Sequence, residues 1–594
     1  MSQPPNTKPD AIQPDAIRPG TARPGATRPA AARPEPRNLG ASTRPILRMA
    51  KFPDSDALAS EHAAAREQVS QADVLFVNPP TPDGTIWIRS QHRVGRRSRE
   101  NMIWPQVSLA QLAAVMHPTY TVRVIDAVAD RLDWPTFERI VRRIRPKYYV
   151  THVTAATLQN DLYGTFLAKS VGATTLALGT HITPMPRETL RGYPTLDYGL
   201  RGEPDLTLRD IVDHLEGRQF ARPPETERLF ANHDAAYQPH ELPPGPDGRP
   251  DLSNIKGLVW RQFGEVKVNP DRPFIANLDD LPMPMHHLLP LQKYRMPLVK
   301  GAFSFIVTSR GCPAGCKYCI KHVSYGPTIR MRSAEKLVQE IAELHRLGIR
   351  NVHMFADLFT YNRAQVVDLC NGLLDSGLGV RWTCNSRVDF VDRDLLALMK
   401  RAGCWCIAWG VESGNAEILA RAHKSVPLER TRESLRWSHE AGMLNWGYFI
   451  IGLPGETEAT IKETIAFAKS LPLDIALFHV AAPYPGTPFF EEVAKNGWFR
   501  AGVRWEDVNM DDSTVIDYPH LPAERLEYWQ KRAFREWALR PRPMMTYARM
   551  LLTDVSTIRS AIDIGMQHLL WKRGKSGSKS LTPQVGRFAD PQDA

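Results

Sequence analysis

Residues 303–322 read FSFIVTSRGCPAGCKYCIKH, and three cysteines fall within eight residues of this stretch. Cys312, Cys316 and Cys319 are separated by four and then three positions, and the glycines and proline beside them make the segment tight. The apolar run before the cysteines is typical of a buried strand. Structural cysteines are scattered along a chain rather than clustered, so this spacing indicates thiols that react or bind a metal.

The residues alone leave three interpretations of these cysteines open. A redox pair in the Cys-x-x-Cys motif would leave Cys312 unexplained. A structural zinc site normally has four ligands, and no second Cys-x-x-Cys pair follows, although His322 is a candidate for the fourth. Cys404 and Cys406 lie on one face of a predicted strand and fit core packing. Iron–sulfur clusters normally take four thiolates, so three would leave one iron open.

The cysteine segment opens a region in which apolar strand patterns alternate with helical patterns. Such a series of six β/α units predicts a barrel or partial barrel, with its chemistry at the carboxyl ends of the strands. The six predicted strand segments are 303–312, 349–360, 380–389, 404–414, 446–457 and 474–487.

A second alternating region precedes this one. Its pattern predicts an α/β domain with a doubly wound parallel sheet, whose ligands lie beyond the carboxyl ends of the strands. The Pro-rich residues 216–300 are predicted to be a connector with one hairpin, IKGLVWRQFGEVKVNP. The predicted strands of the first sheet are 72–80, 120–127, 148–155, 174–181 and 196–203.

The charge of the chain lies at its two ends. The net charge of the 594 residues is +11, and residues 1–48 carry +5 while residues 521–594 carry +6, so the middle is neutral. An enzyme that acts on nucleic acid more often carries its positive charge on the folded body, so no nucleic-acid partner is expected. Seven cysteines, with neither a signal peptide nor a membrane-spanning run, predict a cytoplasmic protein.

These patterns together predict six segments along the chain. The tails, 1–70 and 576–594, are expected to be disordered. A doubly wound domain at 71–215, the connector at 216–300 and the six-unit domain at 301–500 lie between them. Residues 501–575 form a basic, aromatic, helical C-terminal region, for which we consider packing against the barrel and peripheral contact with an anionic membrane surface.

The motif CPAGCKYC, on the loop after the first strand of a six-unit β/α domain, resembles the signature of radical S-adenosylmethionine (SAM) enzymes. Tyr318, the aromatic residue before the third cysteine, also matches. The resemblance implies a partial (β/α)6 radical SAM barrel in which the three cysteines hold a [4Fe-4S] cluster. The open iron then chelates SAM, and cleavage of SAM gives a 5′-deoxyadenosyl radical that abstracts hydrogen from an unactivated carbon.

The resemblance also implies contacts to SAM at several strand ends. Asp357, in MFADLFT, occupies the place of the element that binds the SAM amino group, although the usual Gly-Gly pair is missing. Arg387 is a candidate partner of the SAM carboxylate. Glu412 and Ser413 in WGVESG resemble the ribose-binding element. Gly452 in IIGLPGET matches the element beside adenine, which also contains Glu456.

An α/β domain ahead of a radical SAM domain resembles the cobalamin-binding subclass. The segment DAVADRLDW contains no histidine at the place of the usual lower ligand, so the cobalt is expected to receive none from this loop. His181 in LGTHITP is a candidate contact to the corrin or its nucleotide tail. His152 and Thr154, at the exit of the third strand, are weaker candidates.

The layout resembles cobalamin-dependent radical methyltransferases and the anaerobic magnesium-protoporphyrin IX monomethyl ester oxidative cyclase. We favour methylation of an unactivated carbon in a hydrophobic substrate, either a tetrapyrrole or a polyisoprenoid or hopanoid lipid. Oxidative closure of the fifth ring of the porphyrin is the second interpretation. A tRNA methylthiotransferase is the third and least favoured, because it would need a second cluster. The resemblance implies an electron donor such as flavodoxin or ferredoxin.

Overall fold

The computed structural model describes residues 71–553, apart from the short stretches 82–83, 92, 99–101, 235–236, 246–247, 249, 505–506, 509 and 511–514. The predictions for both tails and for the helical region beyond 553 lie outside the described residues.

The described residues form seventeen strands. In chain order they are β1 (Val74–Asn78), β2 (Trp87–Ser90), β3 (Arg93–Arg97), β4 (Val122–Asp126), β5 (Tyr148–His152), β6 (Thr174–Leu178), β7 (Tyr198–Leu200), β8 (Leu258–Gln262), β9 (Glu265–Val268), β10 (Phe303–Val307), β11 (Ser309–Arg310), β12 (Arg330–Met331), β13 (Asn351–Phe355), β14 (Arg381–Ser386), β15 (Cys404–Glu412), β16 (Leu444–Ile451) and β17 (Ile475–Val480).

The same residues form sixteen α-helices. In chain order they are α1 (Val107–Met116), α2 (Trp134–Ile144), α3 (Leu158–Lys169), α4 (Pro186–Gly192), α5 (Pro204–Leu215), α6 (Pro224–His233), α7 (Lys321–Tyr325), α8 (Ala334–Arg346), α9 (Arg363–Ser376), α10 (Arg393–Arg401), α11 (Ala416–Arg421), α12 (Leu428–Glu440), α13 (Glu458–Ser470), α14 (Pro488–Lys495), α15 (Ala523–Ala538) and α16 (Pro541–Thr553).

The first sheet has seven strands in the order β4-β1-β5-β6-β7-β8-β9, and the first five are parallel. Side chains alternate between its faces. Leu75 and Val77 of β1 share a core with α2 and α3, whereas Val74 and Phe76 belong to the larger core that includes α1 and α5. Helices on both faces confirm the predicted doubly wound sheet. The strand order reverses between β1 and β5, where such sheets bind their ligands.

The hairpin predicted within the connector forms, and it joins the first sheet. Strand β8 pairs antiparallel with β7, and β9 pairs antiparallel with β8. The connector therefore contributes the last two strands of this sheet, and β9 forms one of its edges. It also contributes α6 and three short 3-10 turns.

The second sheet confirms the six predicted β/α units. Its six strands are parallel and neighbour one another in chain order, β10-β13-β14-β15-β16-β17, so that β10 and β17 are the edges of an open barrel. Trp104, which precedes α1, stacks on Phe305 of β10 with ring centroids 5.0 Å apart. It also meets His353 and Phe355 of β13 edge-on. A side chain that belongs to the first region of the chain thus packs against the barrel.

The C-terminal helix α15 packs beside the last barrel strand. Gln530 Nε2 donates to the carbonyl oxygen of Phe478 in β17 at 2.8 Å. Leu526, Trp529 and Trp537 of α15 are buried. This matches the packing interpretation for this part of the C-terminal region.

Within the described part of the chain, every helix is too short or too polar to cross a bilayer.

Candidate functional site

The three clustered cysteines lie on a loop that is closed at its base. Strands β11 and β12 pair antiparallel through only two residues each, and they enclose residues 311–329, which we call the cysteine loop. Gly311 begins this loop with a φ of +84°. A Cβ atom there would lie 2.1 Å from the carbonyl oxygen of Thr328, so no other residue fits without moving the backbone.

All three thiols of the cysteine loop are free. Cys312 and Cys316 are 8% exposed, and Cys319 is half-buried. Burial raises the pKa of Cys312, and it raises the pKa of Cys319 to about 12. The charge of Cys316 also contributes to both shifts, which indicates that the three sulfurs are neighbours. Burial therefore disfavours the thiolate forms of Cys312 and Cys319, and a metal that binds these two thiols must displace their protons.

Two further observations describe the surroundings of these thiols. Among the described residues, no group of three or more His, Cys, Asp or Glu side chains converges closely enough to hold a single metal ion. Two cations lie near the sulfurs, because the charges of Lys321 and Arg387 oppose the raised pKa values of Cys319 and Cys312 respectively. Burial opposes ionisation of these thiols, whereas the positive charge of Lys321 and Arg387 favours their thiolate forms.

Asp357 follows β13 and joins the start of the cysteine loop to α7. Its Oδ2 accepts the Gly311 N–H at 3.2 Å, and its Oδ1 lies 2.7 Å from Lys321 Nζ. The structure therefore brings this candidate to the cysteines, where it fastens the loop. Arg387 also reaches the cysteines, and its guanidinium is held by both carboxylate oxygens of Asp389 at 2.7 and 3.0 Å.

Tyr318 lies between the cysteine loop and the ends of two later strands. It packs against Ile418, Ala422 and Leu453. Burial raises the pKa of Tyr318 well above its usual value, and the charge of Glu412 adds to this shift. The three predicted elements at 318, 412 and 452–453 therefore meet around one aromatic ring.

An irregularity at the end of β15 sets the backbone orientation of Glu412. The β15–β16 register shifts between Gly410 and Glu412, and Glu412 has a φ of +68°, which is costly for a residue other than glycine. Lys424 Nζ donates to Glu412 Oε1 and to the Gly410 carbonyl oxygen, both at 2.8 Å. Bulges and left-handed residues of this kind are concentrated beside active sites.

Ser413 is fully buried, and its hydroxyl has local partners. Its Oγ lies 3.1 Å from Thr464 Oγ1 and accepts the Asn415 N–H at 3.2 Å. The structure thus gives Ser413 a role in starting α11 beside α13. Its contact with ribose remains a prediction.

Gly452 turns the chain at the end of β16. Its φ is +95°, its N–H donates to the Glu456 carboxyl group, and its carbonyl oxygen accepts the Tyr518 hydroxyl at 2.9 Å. Glu456 is fully buried, and burial raises its pKa to about 8. Its Oε1 finds no hydrogen-bond partner among the residues that the structure describes. Glu456 is therefore protonated at neutral pH.

The strand ends of the first sheet carry two buried histidines. His152 ends β5 beside the switch point, and neither of its ring nitrogens has a partner within the described ranges. Burial lowers the pKa of His152 to about 3 and that of His181, after β6, to about 4. Both rings are neutral. The two unpaired nitrogens of the buried His152 ring are costly, and a bound ligand would compensate them.

A hairpin that the sequence analysis did not assign covers the same edge of the first sheet. Strands β2 and β3 pair antiparallel, and a Cβ on Gly95 would lie 2.1 Å from Thr154 Oγ1. Arg89, in this hairpin, is fully buried and pairs with the Asp161 carboxylate and the Pro79 carbonyl oxygen. Nothing in the local pattern predicts this ion pair, because its partners are 72 residues apart.

The strand-end loops of the two sheets meet. A Cβ on Gly486, in the PYPGTP segment after β17, would lie 2.9 Å from Pro184 Cβ, in the loop after β6. The same position would lie 3.0 Å from Val323 in α7, which follows the cysteines. A ligand at the ends of the first sheet would therefore be close to the cysteine loop.

Comparison with known families agrees with this geometry. The Radical SAM superfamily matches residues 306–468, which run from β10 to α13 and include the cysteine loop. The chain contains a radical SAM domain. Its relatives include methyltransferases and cyclases, and the protein is an enzyme.

Two relatives extend the similarity beyond the radical SAM domain. An uncharacterized methyltransferase of Pyrococcus horikoshii is 29% identical over 445 residues, which cover 74% of this chain and 89% of the relative. The anaerobic magnesium-protoporphyrin IX monomethyl ester cyclase of Cereibacter sphaeroides is 26% identical over 399 residues, which cover 66% of this chain and 60% of the cyclase.

A solved structure shares the fold. The radical SAM methyltransferase TsrM of Kitasatospora setae, whose structure holds cobalamin and a [4Fe-4S] cluster, matches with a TM-score of 0.54 at 18% identity. The match covers 78% of this chain and 84% of TsrM. The combination of a doubly wound domain and a radical SAM domain is therefore shared with a cobalamin-binding enzyme.

The buried Glu456 makes the stability of the radical SAM domain depend on pH. Its pKa rises on folding from an ordinary value near 4.5 to about 8, so between these values the folded state binds a proton that the unfolded state releases. Stability should therefore fall as pH rises through this window, by at most about 1.4 kcal/mol per pH unit. Glu456→Gln should flatten this dependence, as measured by unfolding midpoints from pH 5 to pH 8.

Glu458 provides the control for this prediction. It lies two residues away but is exposed, and Arg525 lowers its pKa. Glu458→Gln should keep the wild-type dependence over the same window. An unchanged slope in Glu456→Gln would show that Glu456 is ionised in the folded protein.

Proposed function

We propose that this protein is a cobalamin-dependent radical SAM methyltransferase that methylates an unactivated carbon of a hydrophobic substrate. The cysteine loop supports this function most directly, because it presents three free thiols, two buried and one half-buried, without a fourth from the same segment. The strand-end loops of the first sheet lie close to the cysteine loop, and this supports a second cofactor beside the cysteine loop.

The residues of the cysteine loop fit an iron–sulfur cluster. Cys312, Cys316 and Cys319 would hold three irons as thiolates, and Lys321 and Arg387 would compensate their charge. Such a cluster, when bound with SAM at its open iron, supplies the electron that cleaves the SAM sulfonium. Tyr318 and the apolar side chains around it would exclude water from this site.

The contacts to SAM are part of the proposal. Glu412 and Gly452 lie at the ends of β15 and β16, and both strand ends approach Tyr318, through the charge of Glu412 and the packing of Leu453. Asp357 and Arg387 lie near Cys312, and each is already held by an ion pair. We expect SAM to bind between these two groups, with its polar end towards Asp357 and Arg387.

The first sheet fits a ligand at its switch point. His152 has two unpaired ring nitrogens at the end of β5, and His181 lies at the next strand end. Cobalamin, when bound there, would supply the methyl group. His152 would hydrogen-bond to the cofactor, and His181 would contact the corrin or its nucleotide tail.

The barrel wall supports a hydrophobic substrate. Asn445 of β16 donates to the carbonyl oxygen of Leu435 in α12, so its neighbours in β16 point towards the barrel interior. Tyr448 stacks on His479 of β17 with ring centroids 6.0 Å apart, and Trp446 lies 6.1 Å from Tyr448. The aromatic rings of Trp446 and Tyr448 suit a tetrapyrrole or polyisoprenoid better than a polar molecule.

Oxidative cyclisation of a porphyrin side chain is a second candidate function. The similarity to the cyclase of Cereibacter sphaeroides favours it. Methylation is preferred because the methyltransferase relative is similar over a larger share of its own length. For either reaction we expect a one-electron donor such as flavodoxin or ferredoxin. Peripheral membrane contact through the C-terminal region would bring a lipid substrate close.

The identity of the reaction is tested with SAM that carries an isotopic label in its methyl group. Reconstituted enzyme, with cobalamin and an electron donor, is incubated with lipid and pigment extracts under anaerobic conditions. We expect one product to gain the labelled carbon, as measured by mass spectrometry. A product that has lost hydrogen without gaining the label would favour the cyclase. Purified protein that never retains a corrin would contradict methyl transfer.

Cys316→Ala should abolish both cluster assembly and SAM cleavage, because two thiolates hold a four-iron cluster poorly. The measurements are iron and sulfide per chain and the yield of 5′-deoxyadenosine. Cys370→Ala is the matched control, since Cys370 is a fully buried thiol of α9 in the same domain. A Cys316→Ala variant that still forms 5′-deoxyadenosine would refute the site.

Gly311→Ala should lower cluster content several-fold while the secondary structure stays unchanged. The added Cβ would collide with the Thr328 carbonyl oxygen at the base of the loop. Gly315→Ala is the matched control within the same loop, because its Cβ would meet nothing within 4 Å. Iron content measured after anaerobic reconstitution checks the prediction, and equal content in both variants would contradict it.

A further inference from the structure

The base of the cysteine loop is held by carboxylates that belong to the first region of the chain. Arg310, two residues before Cys312, is buried and donates to both oxygens of Asp205 at 2.9 and 3.2 Å. Glu203 Oε1 lies 3.4 Å from the same guanidinium. Both carboxylates lie between β7 and the first turn of α5, so this contact joins the first sheet to the radical SAM domain.

The other side of the loop base has a matching contact. Arg330 of β12 is the register partner of Arg310. It donates to Glu203 Oε1 at 2.7 Å, to the Ile275 carbonyl oxygen at 2.9 Å and to the Tyr325 carbonyl oxygen at 3.1 Å. Glu203 Oε2 in turn accepts the Ile275 N–H at 2.7 Å. Two arginines at the neck of the loop thus face two carboxylates from the first region.

The charges in this arrangement balance only while both carboxylates are present. Arg310 and Asp205 are nearly inaccessible to water, with side chains 5% and 1% exposed, so solvent screens them weakly. Replacement of one carboxylate would leave a buried, unpaired positive charge. That charge would lie two residues from a cluster ligand, where it would favour the reduced, more negative form of the cluster.

We propose that Asp205 and Glu203 are positioning residues, through which the first domain fixes the cysteine loop and sets the charge beside its metal site. The effect on the charge beside the metal site rests on the proposed function, because it requires a bound cluster. The positioning of the cysteine loop does not, because the ion pairs belong to the protein itself. Neither carboxylate needs to touch the cluster or SAM. Arg310 and Arg330 connect the two carboxylates to the cysteine loop and so transmit the effect of the carboxylates.

The main test compares the neutral variant Asp205→Asn with the charge-retaining variant Asp205→Glu. The full chain is reconstituted anaerobically, and the midpoint potential of the cluster is measured by redox titration followed with electron paramagnetic resonance. We expect Asp205→Asn to shift the potential in the positive direction and Asp205→Glu to keep it near the wild-type value. Glu203→Gln should shift it in the same direction, which provides a second variant if Asp205→Asn fails to fold.

Asp213 is the matched control. It lies in the same helix α5, is fully buried and also pairs with arginines, since it accepts from Arg209 Nε at 2.8 Å and Arg222 Nε at 2.6 Å. Its partners, however, lie outside the cysteine loop. Asp213→Asn should leave the cluster potential unchanged even though it weakens the first domain. A shift as large as that of Asp205→Asn would show that general destabilisation is the cause, and would overturn the proposal.

A second readout needs no cluster. Hydrogen–deuterium exchange of residues 311–329 is measured in the metal-free full chain. We expect faster exchange in Asp205→Asn and Glu203→Gln than in the wild type, and wild-type exchange in Asp213→Asn. If exchange in Asp205→Asn and Glu203→Gln equals that of the wild type, the positioning role is refuted, whichever metal the site binds. A wild-type chain that assembles no four-iron cluster but shows this pattern would instead refute the proposed function and retain the positioning role.

Discussion

The structure depends on a short loop that must present three thiols from one strand end without collapsing onto itself. Two residue pairs of β11 and β12 close the loop, and a glycine at +84° fits beneath a carbonyl oxygen where no side chain could lie. Because Cys312, Cys316 and Cys319 come from this one segment, the loop alone can fill three ligand positions. The fourth position of a cuboidal cluster then remains for a molecule that is not part of the loop.

This constraint explains why the rest of the barrel converges on the loop. Asp357 and Lys321 fasten it on one side, and Tyr318 packs against the exits of two later strands on the other. The first sheet reaches the loop in two ways. Ion pairs hold the neck, and Pro184 approaches the exit of the last barrel strand. A reaction that passes a group between two cofactors needs such fixed distances, and buried charge pairs and close packing provide them.

The architecture could be predicted from the sequence because patterns of neighbouring residues indicate its strands and helices. Apolar runs that alternate with amphipathic helices indicate parallel sheets, and the cysteine spacing indicates a metal site.

The parts that could not be predicted depend on residues distant in the chain. The hairpin of β8 and β9 joins the first sheet by an edge pairing that its own residues do not specify. Arg310 meets Asp205 across 105 positions, and the raised pKa of Glu456 follows from burial, which no motif reports. Ser413 matched a motif, yet its hydroxyl has partners within the protein.

In the proposed enzyme, three thiolates hold a four-iron cluster whose remaining iron binds SAM. The most direct measurement is electron–nuclear double resonance on the reduced protein with SAM labelled by 15N in its amino group and 17O in its carboxylate. We expect both labels to couple strongly to the electron spin of the cluster, and the 15N and 17O couplings to be absent when unlabelled SAM replaces the labelled molecule. A reduced cluster that shows no coupling to either label, or a site that contains zinc in place of iron, would contradict this expectation.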